Sequence, residues 1–97
     1  MIDVDTIISC TAENNYTELN LKGRNKLLST RGLKQIEEAL SRHSFLRVHN
    51  SSLVNLNHVD KYIKGEGGYL VMSDGSVINV SRSHKAELLQ RLQSHKL

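Results

Sequence analysis

Ninety-seven residues suffice for one small core and leave no room for a second. With one cysteine, no proline and no long apolar run, the chain excludes an internal disulfide, a proline-rich linker and a membrane-spanning helix. The net charge is +3, but residues 1–20 carry Asp3, Asp5, Glu13 and Glu18 and no Lys or Arg, so the remaining 77 hold 13 basic and 6 acidic side chains, a balance of +7. Such asymmetry suggests one basic face and a polyanionic partner.

Residues 1–5 lack the basic start and apolar stretch of a signal peptide, so a cytoplasmic location is expected. Thr6–Ala12 is β-branched and apolar and predicts a strand. Glu13–Asn15 signals a turn. Tyr16–Lys22 alternates, with Leu19 and Leu21 on one face, and predicts a second strand. Gly23–Asn25 makes a tight turn, and Lys26–Thr30 a third strand. Residues 31–41 place Leu33, Ile36 and Leu40 at helical spacing, with Thr30 as cap. A strand is expected at Phe45–Val48, then a turn at His49–Ser52.

Val59–Lys64 and Tyr69–Met72 flank Gly65–Gly68 as a hairpin. Ser73–Ser76 is a second hairpin turn, because Asp74-Gly75 favours positive φ, and Val77–Val80 is the returning strand. Ser81 then caps a helix over Arg82–Leu92, with Ala86, Leu89 and Leu92 on one face and Leu88 beside them. The expectation is a single mainly β domain over residues 1–97, core about 4–92, with one inserted short helix and a C-terminal helix.

Phe45–Asn55 is the most informative stretch. Phe45, Val48, Leu53 and Val54 are suited to burial, while Arg47, His49, Asn50 and Asn55 carry hydrogen-bonding groups. Buried polar groups are costly unless paired. These side chains therefore brace a loop or face a polar partner.

Other chemistries find little support. Gly65–Gly68 lacks the Lys-Ser/Thr end of a phosphate loop and no helix follows it. The five histidines (His43, His49, His58, His84, His95) show no metal-site spacing, and Cys10 has no partner cysteine. No nucleophile, base and orienting group are brought together by the pattern, so neither an enzyme nor a cofactor is expected.

Nucleic-acid binding is better supported. Polar clusters fall where strands end, at Glu13–Tyr16, His49–Ser52 and Ser81–Lys85. Asn reads base edges or phosphates, and Arg makes two hydrogen bonds to guanine. Ser81 and Ser83 at a helix start suit a phosphate. Each cluster alone is equally a local turn or cap. Together with the basic excess they favour DNA.

Ala12–Thr17, Phe45–Asn55 and Asp74-Gly75 through Val80–Arg82 resemble, in order and spacing, the signatures of the LytTR DNA-binding domain. The likeness runs from about Val4 to Leu92, and its most specific part is the Phe-x-Arg-x-His-x-Ser-x-x-Val-Asn pattern starting at Phe45. The resemblance implies an elongated sandwich of short antiparallel strands. It also implies a sequence-specific reader of double-stranded DNA, usually the effector half of a bacterial two-component response regulator. Its loops would enter the major groove, in repeated half-sites and with room for a homodimer on DNA. By match, DNA contacts fall on Asn15 (or its neighbours Asn14 and Tyr16), Asn50 and Arg82. His49, Ser83, Lys85 and Arg47 are the supporting candidates. The family position at Asn50 is often basic, so this chain departs there. Nothing in it resembles the receiver domain. The competing class is a non-enzymatic protein-interaction β-domain working through an open sheet edge.

Overall fold

The computed structural model describes residues 2–96. β1 (Ile7–Glu13), β2 (Tyr16–Leu21), β3 (Asn25–Ser29), β4 (Phe45–His49) and β5 (Ser52–Asn55) form one antiparallel sheet in the order β3-β2-β1-β5-β4. β6 (Val59–Ile63), β7 (Tyr69–Met72) and β8 (Val77–Asn79) form a second, in chain order. The inserted helix α1 spans Leu33–Ala39 and the terminal helix α2 spans Arg82–Lys96. The longest axis is 33 Å against 25 and 24 Å.

Each face of the larger sheet has its own cover. On one side Ile8, Leu46, Val48 and Val54 pack against Val59, Leu70 and Met72 of the second sheet and Leu88 of α2. On the other, Ile7, Cys10, Phe45 and Leu53 pack against Leu33, Ile36 and Leu40. Each fully buried Leu or Ile contributes about 1.5–3 kcal/mol. A bulge in β1 shifts its register, with Ile7 opposite Leu21 but Ser9 opposite Asn20. The extra residue puts Ile7 and Cys10, three apart, on the same face. A second bulge in β4 leaves Arg47 opposite Leu53 and His49 opposite Ser52. It turns His49 toward β8 while Arg47 stays on the α1 side.

Three expectations change. The expected His49–Ser52 turn is shorter, and Ser52–Asn55, given no element by the sequence pattern, is a strand inside the sheet. All four of its residues are buried, so it shows no alternation. Gly32, not Thr30, precedes α1 as its N-cap, and the Gln35 side chain accepts the Gly32 N–H at 3.2 Å. In α2 the inward residue is Leu88, fully buried, with Leu92 packed beside it, whereas Ala86 and Leu89 face solvent. The helix also runs a turn beyond Leu92.

Cys10 is fully buried in β1, and burial pushes its thiol pKa up to about 12. A thiol reagent should therefore react only through opening of β1. Labelling as fast as a free thiol, followed by absorbance without denaturant, would contradict this packing.

Candidate nucleic-acid interface

Strand register gathers the sequence-predicted residues at one end of the larger sheet. Glu13 and Tyr16 close the β1–β2 turn, and Asn15 lies exposed in it. Asn14 beside it takes a positive φ of 27°, which Asn tolerates in turns. The Ala12 N–H bonds the Ser51 carbonyl at 2.8 Å, setting the β4–β5 turn alongside. The Ser81 N–H bonds the Val48 carbonyl at 2.9 Å, which brings the start of α2 to the same end. The segments carrying Asn15, Asn50 and Arg82, far apart in sequence, thus lie toward one end of the fold.

The polar residues of Phe45–Asn55 divide between bracing and display. Arg47 donates from Nε to the His49 carbonyl (2.9 Å) and from Nη2 to the Asn50 carbonyl (2.6 Å), and Nη1 meets Glu37 Oε1 of α1 at 2.8 Å. Its fork is spent on holding the turn. His49 Nδ1 accepts the Ser51 N–H at 3.2 Å, so in the neutral ring the proton sits on Nε2. His49 also lines a shallow groove with Thr11, Ser52 and Val77–Asn79. Buried Asn55 donates to the Ile7 carbonyl at 2.9 Å and accepts the Asn57 N–H at 3.0 Å. Asn50 alone in this stretch is exposed, held by its backbone with its amide side chain toward solvent.

At the start of α2, Ser81 Oγ meets the His84 ring nitrogen Nδ1 at 2.5 Å and Ser83 Oγ at 3.2 Å. The Ser81 carbonyl accepts the His84 N–H at 3.1 Å. Arg82 is exposed, its side chain at 75% of full accessibility, and pairs with Glu66 of the β6–β7 loop. Lys85 Nζ donates to the Gly65 carbonyl at 3.2 Å. Gly65–Gly68 is the hairpin turn its glycines predict, and it also lies against the start of α2, which its sequence does not signal. A Cβ on Gly67 would sit 1.9 Å from the Val80 carbonyl oxygen, so glycine there permits the close approach. Among the described residues no group of three His, Cys, Asp or Glu is placed to hold a metal ion.

Two polar turns and the polar start of α2 thus project from one end of an antiparallel scaffold. A family model described as the LytTr DNA-binding domain matches residues 1–93, and the chain belongs to that family. It is 33% identical over 95 residues to the heme-containing CO-sensing transcriptional regulator RcoM 2 of Paraburkholderia xenovorans (strain LB400), covering 95% of this chain and 35% of that protein. The chain therefore spans about a third of that relative's length. A solved LytTr DNA-binding domain, assigned to a methyl-accepting/DNA response regulator of Bacillus cereus, superposes with a TM-score of 0.81 at 24% identity, over 95% of this chain and 84% of that one. That likeness establishes the mainly β sandwich.

Proposed function

We propose that this chain is the single sequence-reading domain of a bacterial transcriptional regulator, and that it grips double-stranded DNA through loops in the major groove. The observation that carries the reading is the convergence of exposed Asn15, Asn50 and Arg82 on one end of the fold. Asn15 and Asn50 offer both a donor and an acceptor to a base edge, and Arg82 a fork for guanine. Ser83 and Lys85 face backbone phosphate, while His49 and Arg47 fix the turn that presents Asn50. No catalysis or cofactor is needed for this role. The proposal extends to a response regulator as parent, repeated half-sites, a homodimer on DNA and a cytoplasmic location. No described helix is long and apolar enough to cross a membrane.

Selection from random duplexes would supply the cognate site. Arg82→Ala should then weaken cognate binding by about 1–3 kcal/mol and relax preference at one base pair. Fluorescence anisotropy on cognate and scrambled duplexes measures both. Unchanged affinity for the two, in a folded variant, removes Arg82 from the interface.

One observation favours a second reading. β3 is an edge strand with Leu27 41% and Leu28 66% exposed, a template for strand addition by a protein partner. Salt separates the two, since DNA affinity falls steeply with ionic strength through counterion release and apolar strand pairing does not.

A further inference from the structure

We propose that Glu66 is a positioning residue for base reading, holding the Arg82 guanidinium in the orientation that addresses a guanine edge. The inference rests on Arg82 reading a base.

The loop that carries Glu66 is fixed where it meets α2. The Tyr62 hydroxyl donates to the Gly67 carbonyl at 2.8 Å. Gly68 takes a φ of 81°, and a Cβ there would lie 2.4 Å from the Tyr62 hydroxyl. Gly67 lies against Val80 and Lys85 reaches the Gly65 carbonyl. Glu66 is thus presented from a set backbone, whereas Arg82 is a long side chain with much rotamer freedom to lose on binding.

The ion pair itself is solvent-facing, with side-chain exposures of 75% and 78%, so it adds little to folding. Its consequence lies at the DNA surface. One carboxylate oxygen occupies one Nη2 hydrogen and leaves the other N–H groups of the fork for guanine O6 and N7. Pre-orienting the fork lowers the ordering cost of binding. A carboxylate here also repels phosphate, so Arg82 is disfavoured as a non-specific backbone contact. The first effect favours the cognate site and the second disfavours non-specific contact, so together they raise discrimination.

The test compares Glu66→Ala, Glu66→Gln, Arg82→Ala and the double alanine variant on cognate and scrambled duplexes. Glu66→Ala should leave the unfolding midpoint unchanged and tighten binding to scrambled DNA. It should cut the cognate-to-scrambled ratio by about two- to fivefold, at the same base pair that Arg82→Ala relaxes. In an Arg82→Ala background, Glu66→Ala should leave the ratio unchanged. Glu66→Gln, which keeps an acceptor oxygen without the charge, should fall between wild type and Glu66→Ala. A Glu66→Ala change that shifts both affinities by one factor would make Glu66 a charge on the surface only and overturn the proposal. If Arg82→Ala leaves cognate binding intact, it is the base-reading assignment of Arg82 that fails.

Discussion

Gly67→Ala is expected to destabilise the fold by about 2–4 kcal/mol and to weaken DNA binding beyond what the lost stability explains. The added Cβ would lie 1.9 Å from the Val80 carbonyl oxygen and 3.0 Å from its carbon. Backbone faces it, so no side chain swings aside. Either the β6–β7 loop lifts or the Val80–Ser81 segment moves. Val80 is buried in the core shared by the two sheets and α2, and the next residue holds α2 to β4 through the Ser81–Val48 bond. Movement there displaces Arg82 and Lys85 together. Gly65→Ala is the internal control, since its Cβ would meet only ordinary contacts at 3.4 Å; it should stay within about 0.5 kcal/mol of wild type. Urea unfolding of both variants, beside anisotropy titrations, measures the two effects. A Gly67→Ala protein as stable as Gly65→Ala would mean that the loop does not rest on Val80.

The strands that alternate were legible because one face of each meets the core and the other meets water or a thin cover. β5 was not, because Ser52–Asn55 is buried on both faces, and its polar members Ser52 and Asn55 look like turn residues until Asn55 is seen bonded to Ile7. The bulges in β1 and β4 were equally invisible, since an extra residue changes facing without changing composition. In α2 the pattern put Ala86, Leu89 and Leu92 on one face with Leu88 beside them, which leaves the inward direction open to a shift of one residue. The Ser81–Val48 tether fixes where the helix begins, and Leu88 is the residue that packs inward.

The candidate site was legible as residue types at strand ends, not as a surface. Asn15, Asn50 and Arg82 were marked by the family-like motif, yet it takes strand order and the Ser81–Val48 bond to bring the two turns and the start of α2 to one end. Glu66 carried no motif. The signal that could have found it is the run of glycines around a single acid, which in a hairpin marks close backbone approach rather than mere flexibility. Arg47 was a supporting contact candidate as a hydrogen-bonding residue of the Phe45–Asn55 motif. Its geometry assigns it to bracing, because its three hydrogen bonds go to Glu37 and to the backbone of His49 and Asn50.

That difference has a measurable consequence, and Arg47→Ala is expected to cost about 1–3 kcal/mol of stability and roughly tenfold in cognate affinity. The side chain is only 24% exposed, so its bonds are less screened than a surface pair's. Without it the His49 and Asn50 carbonyls lose a charge-assisted donor, and Glu37 loses its partner. The turn then samples many conformations, and binding must order it again before Asn50 can present its amide. Arg47→Lys should recover little, because one ammonium cannot serve two carbonyls and a carboxylate in the plane the guanidinium spans. The bracing role separates from direct phosphate contact through salt. A brace leaves the slope of log affinity against log salt unchanged in the alanine variant, whereas loss of a phosphate contact lowers that slope by about one. Anisotropy titrations over a salt series, with thermal unfolding of each variant, distinguish the two. A changed slope with unchanged stability would return Arg47 to the DNA surface and leave the β4–β5 turn to hold itself.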